Sequence, residues 1–171
     1  MHKQLQLSFV FISVLLVACD PTTKQPPAQL LVTQETPTTW QFETFSCAFG
    51  CDSLLADALD QRKGQVLDFN SPQNGFDLLT QCNGKLTLQE TAKTNTEVIK
   101  QLNETVSPIQ EFTPENTGLT DLELTTAEAS CQEEGNAETF TTFWVVSLTK
   151  DTMKVYFEGA SFLNFKAVKK D

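Results

Sequence analysis

The side chains with chemistry to offer here are five cysteines and a surplus of carboxylates. Cys47, Cys51, Cys82 and Cys131 form an even set, and in an oxidising compartment an even set reads as two disulfides with three possible pairings. The expected pairs are Cys82 with Cys131, closing a long loop, and Cys47 with Cys51, closing a short one. The same thiols admit a metal or redox reading, with Cys-x-x-x-Cys at 47 and 51 as half of a zinc site or as a redox pair. Zinc tetrathiolates favour two tight pairs and redox centres favour Cys-x-x-Cys, so neither a metal nor a cofactor is expected. Asp57 with Asp60, Asp121 with Glu123, and Glu133 with Glu134 offer carboxylate pairs for a hydrolase. Such a pair is defined by convergence in space, and among 22 acidic residues it reads first as solvated surface. The single histidine is His2, near the start. No catalytic residue is therefore assigned. Asn103-Glu104-Thr105 matches a glycosylation acceptor and reads as a chance match. With 12 basic residues, a net charge of -10 and a pI near 4.5, a nucleic-acid partner is excluded on charge.

His2 and Lys3 precede a run from Leu5 to Ala18 that is apolar except for Gln6, Ser8 and Ser13, and stops at Asp20 and Pro21. That is the pattern of a secretory signal over residues 1–18, too short for the roughly 20 apolar residues that cross a bilayer. Leu16-Val17-Ala18-Cys19 resembles the lipobox of bacterial lipoproteins. The resemblance implies cleavage before Cys19, acylation of its sulfur and anchoring to a membrane by two or three acyl chains. Asp20 resembles the retention signal of enterobacterial lipoproteins, so the inner membrane is expected in preference to the outer, with the chain facing the periplasm. Loss of Lys3 with the leader takes the net charge from -10 to -11.

The elements behind these residues fall into a Pro-, Thr- and Gln-rich tether over 19–38 and a single β-rich domain over 39–171. Trp40, Phe42 and Phe45 read as a strand with a bulge. Leu54, Leu55, Ala58 and Leu59 have helical spacing behind Asp52 or Ser53 as a cap, with Gly64 after them. Strands are expected at 65–69 and 76–82, with Asn83-Gly84 as a two-residue hairpin that places Leu79 opposite Leu88. Thr94 and Glu97 form a capping box ahead of Val98, Ile99, Leu102 and Val106, and Pro108 ends that helix. Residues 108–118 read as a loop and 119–124 as a short strand. Alternation over 140–149, 152–158 and 161–168, with turns at Lys150-Asp151 and Gly159-Ala160, predicts a three-stranded antiparallel meander. The fold class is mainly β, an antiparallel meander forming a small barrel or strongly curved sheet, with one or two short helices.

Trp144 to Phe157 followed by Phe162-Leu-Asn-Phe-Lys-Ala-Val168 resembles the closing strands of bacterial lipocalin-like domains. Cys82-Asn83, Thr126 to Cys131 and Glu138-x-Phe140 resemble elements of the META family of envelope proteins, with Gln81 where that family carries glycine. Neither resemblance carries catalytic residues. With the lipobox-like Leu16-Val17-Ala18-Cys19, the expected function is that of a non-enzymatic cell-envelope lipoprotein, a membrane-anchored binding or envelope-integrity module with an envelope protein as partner. The alternative is a lipocalin-like carrier of a small apolar ligand, and a carboxylate-based hydrolase stands third. A carrier needs an apolar interior with room left over, and a binding module needs an accessible surface site.

Overall fold

A computed structural model describes residues 36–71, 76–79, 81–106, 110–133, 135 and 138–169. The expected leader, Cys19, Asp20, Glu134 and most of the tether lie outside the described residues. The elements are β1 (Thr39–Cys47), α1 (Ser53–Asp60), β2 (Val66–Asp68), β3 (Gly84–Thr94), α2 (Asn95–Val106), α3 (Pro114–Thr117), β4 (Glu123–Glu133), β5 (Thr139–Leu148), β6 (Thr152–Phe157) and β7 (Ser161–Ala167). The strands form one antiparallel sheet in the order β2-β1-β7-β6-β5-β4-β3.

Local chemistry accounts for most of these boundaries. Met153 and Val155 point into the core while Lys154 and Tyr156 occupy the other face, the period-two pattern that fixes β6. The β5–β6 turn is clasped by Thr149, whose Oγ1 accepts from the amides of Asp151 and Thr152 at 3.2 and 2.9 Å. At the β6–β7 turn Gly159 and Ala160 both adopt positive φ, 64° and 60°, the conformation of a tight primed turn. The expected bulge in β1 lies between Phe42 and Thr44, and it lets Trp40, Phe42 and Phe45 all reach one core. Asp52 caps α1 by accepting from the amides of Leu54 and Leu55. Thr94 and Glu97 make the capping box of α2: the Thr94 amide donates to Glu97 Oε2 at 2.8 Å, and the Glu97 amide donates to Thr94 Oγ1 at 3.3 Å.

Three expectations are corrected. Residues 76–79 and 81–82 are turns and irregular chain, not a strand, and Asn83-Gly84 is not a hairpin tip. Gly84 instead opens β3, which pairs with β4, so that Leu86 faces Cys131 and Leu88 faces Ala129, not Leu79. The Cys82–Cys131 bond holds this segment against β4, and a Cβ at Gly84 would lie 1.9 Å from the Gln132 carbonyl oxygen. The glycine serves close backbone approach and not a turn. The strand expected at 119–124 begins at Glu123 and runs on to Glu133, its inward positions including Ala127, Ala129 and Cys131. The expected loop at 108–118 contains α3, capped by Thr113 and Asn116.

Seven strands that alternate in direction leave β2 and β3, the first and last in the sheet, running the same way. Closing the sheet would therefore need a parallel ladder, whose connection must cross from one end to the other. The sheet curls but does not close. One backbone bond bridges the seam, from the Leu86 amide to the Phe69 carbonyl at 2.8 Å. The connection between β2 and β3 sends Phe76, Leu79 and Cys82 into the concave core. There Phe42, Phe76 and Phe165 pack with centroids 4.9 to 5.4 Å apart. Thr36 and Thr38, assigned to the tether on composition, are bonded to Glu90 Oε1 and the Phe69 amide at 2.6 and 2.8 Å. On the convex face, Val98 and Leu102 of α2 with Phe112 and Leu119 cover Val146 and Phe162 in a second core.

Candidate functional site

The strand registers place one row of side chains across the convex face. Gln89 of β3 lies opposite Glu128 of β4, Glu128 opposite Trp144 of β5, Trp144 opposite Tyr156 of β6, and Tyr156 opposite Phe162 of β7. Directly paired positions bring Cβ atoms to about 5 Å, so the Glu128 carboxylate stands beside the indole with the Gln89 amide next to it. The adjoining row supplies Thr91 and Thr126, whose hydroxyl donates to the Thr91 carbonyl at 3.1 Å. Lys93 closes the end nearer α2, its Nζ 2.6 Å from Gln101 Oε1 and 6.0 Å from the Trp144 ring centroid. These residues line a shallow cleft of about 120 Å³. The floor is half-buried Trp144, and the rim is the exposed Gln89, Thr91 and Glu128 with half-buried Lys93.

The row beyond Trp144 is sealed. Phe112 packs edge-on to both Tyr156 and Phe162, and burial raises the Tyr156 hydroxyl above its ordinary range. Lys154 donates to the Thr117 carbonyl at the end of α3 and lies 5.4 Å from the Phe162 centroid, with burial lowering its ammonium from the ordinary lysine value. It fastens α3 to β6. The cleft thus has a packed aromatic back wall and an open polar front, an arrangement that can meet a flat group and hydrogen-bond its edges. Among the described residues that line it, Glu128 is the single carboxylate.

Both cysteine pairs are bonded, Cys47 with Cys51 and Cys82 with Cys131, at Cα separations of 5.2 and 5.6 Å. All four thiols are consumed, and among the described residues no group of three or more His, Cys, Asp or Glu side chains is placed to hold a metal. The carboxylate pairs are scattered. Asp57 and Asp60 are exposed on α1, Asp121 and Glu123 are exposed at the start of β4, and Glu133 ends that strand. Asn103 spends its side-chain amide locally, accepting from the Phe112 amide at 2.8 Å and donating to the Phe112 carbonyl at 3.1 Å. The aromatics divide between the faces: Phe143 and Phe165 enter the concave core, Trp144, Tyr156 and Phe162 lie on the convex side, and Phe140 is exposed.

Sequence reasoning marked Trp144 but missed Gln89, Thr91, Lys93 and Glu128. The signal was present as period-two polar residues from Thr87 to Lys93, readable once β3 is known to extend to Thr94.

The chain matches no protein-family model, no curated protein and no solved structure. The site must therefore be interpreted from its own chemistry. Among the described residues no helix is long and apolar enough to cross a membrane.

Proposed function

We propose that this chain is a non-enzymatic lipoprotein of the bacterial cell envelope, anchored through Cys19 on the periplasmic side and acting as a binding module. The observation that carries the binding reading is the contrast between the two faces of the sheet. The concave face is filled by Trp40, Phe42, Phe76, Met153 and Phe165, each no more than 2% exposed. The convex face carries the open cleft beside Trp144, where donors and acceptors converge on an accessible ring. The anchor reading is supported by Leu16-Val17-Ala18-Cys19 and by Asp20, which favours the inner membrane.

The test is metabolic labelling with a palmitate analogue, followed by membrane fractionation of the full chain and of Cys19→Ser. Label on the native chain and release of the variant into the soluble fraction are expected. Unchanged retention of an unlabelled variant overturns the anchor.

A further inference from the structure

We propose that the cleft at Trp144 is a saccharide-binding site that takes one sugar ring of an uncharged glycan; this rests on the binding-module reading and names the ligand class of the same site. A sugar ring has a flat face of C–H groups and an edge of hydroxyls that both donate and accept. Those two requirements are met here by different parts of one cleft. The half-buried indole of Trp144 packs against the cluster that holds Tyr156 and Phe162, with Lys93 Nζ 6.0 Å from its centroid. At its side Glu128 offers acceptors only, Gln89 offers both functions, Thr91 adds a hydroxyl, and Lys93 adds donors. Opposite charges at Glu128 and Lys93, together with the chain's net charge of -10, disfavour a polyanionic ligand. The polar rim disfavours an apolar one.

The surrounding geometry narrows the class further. β4 and β5 are paired on both sides, so their backbone groups are spent in the sheet, and of the strands that line the cleft only β3, at the sheet edge, could take a peptide as an added strand. Over β4 and β5 recognition runs through side chains, which suits a ligand whose polar groups point outward from a ring. The cleft volume of about 120 Å³ is small, so it accommodates one ring while neighbouring rings of a longer glycan extend into solvent. Polymeric and free glycans present the same ring, and the experiment separates them.

The full chain, extracted from membranes in a detergent without a sugar headgroup, is titrated calorimetrically with soluble oligomers of N-acetylglucosamine and of glucose. In parallel it is tested for retention on insoluble cell-wall glycan. Saturable binding to at least one series is expected, weakened about tenfold or more in Trp144→Ala and in Glu128→Gln, and unchanged in Glu158→Gln. Glu128 is exposed, so Glu128→Gln keeps the test valid if Trp144→Ala fails to fold. Retention on wall glycan without binding of the soluble oligomers supports the polymer as source, provided Glu128→Gln abolishes it. Absence of both, or equal binding by native chain and variants, overturns the saccharide assignment. A photoreactive residue at Gln89 then separates the two readings: capture of a protein in cells, lost in Glu128→Gln, leaves the binding module standing, and no capture removes both.

Discussion

Replacing Cys82 and Cys131 together by alanine should cost about twice as much stability as replacing Cys47 and Cys51. The two bonds span sequence separations of 49 and 4. Loop-closure entropy in the unfolded chain gives about 4 kcal/mol for a loop of about 50 residues and about 2 kcal/mol for one of about 5. Burial widens the gap, because Cys82 and Cys131 are both fully buried in the concave core whereas Cys51 is exposed. Urea unfolding can be followed through Trp40, which is buried with its indole N–H donating to the Pro37 carbonyl at 2.9 Å. At a slope of about 2 kcal/mol per molar urea, the long-loop variant should lose about 2 M of midpoint and the short-loop variant about 1 M. A short-loop variant that loses as much as the long-loop one would refute the reasoning, and would mean that Cys47–Cys51 acts through the folded state.

Gly84→Ala forces a methyl group against the backbone of Gln132 and should destabilise the β3–β4 edge by about 1 to 3 kcal/mol, seen as faster amide exchange from Leu86 to Leu88. The Glu97 carboxyl is held below its usual 4.5, first by the hydrogen bond from the Thr94 amide and then by the Thr94 hydroxyl. Its contribution is therefore full above pH 4.5 and fades as pH falls through the folded value. Unfolding measured between pH 7 and pH 3 should show a shallower acid limb in Glu97→Gln than in the native chain.

The C-terminal meander and the two capped helices were legible because their signals are local. Met153, Val155 and Phe157 alternate within six residues of β6, and Thr94 with Glu97 announces a helix start in four residues. β3 and β4 were not legible for the opposite reason. The inward positions of β4 include Ala127 and Ala129, which give little apolar contrast, and the pairing of the two strands spans the helical insertion from Asn95 to Val106. Gly84 shows the limit most directly. After an asparagine it carries the local signature of a hairpin, yet the disulfide from Cys82 to Cys131 and the approach of Gln132 assign it another role. The cleft inherited that gap, since Gln89 and Glu128 become neighbours of Trp144 only through the register of those two strands.

The place of β1 in the sheet bears on the order in which the protein can be made. β1 is the earliest strand in the described chain, and it sits between β2 and β7, the latest. A ribosome delivers residues 39–47 more than a hundred residues before their partners at 161–167, and until those arrive Trp40 and Phe42 lack one wall of their core. Pairings of such long separation form late and cannot be rehearsed by a partial chain. The domain therefore commits to its fold only after synthesis of β7, and a truncation before Ser161 should leave β1 without the ladder that joins it to the meander.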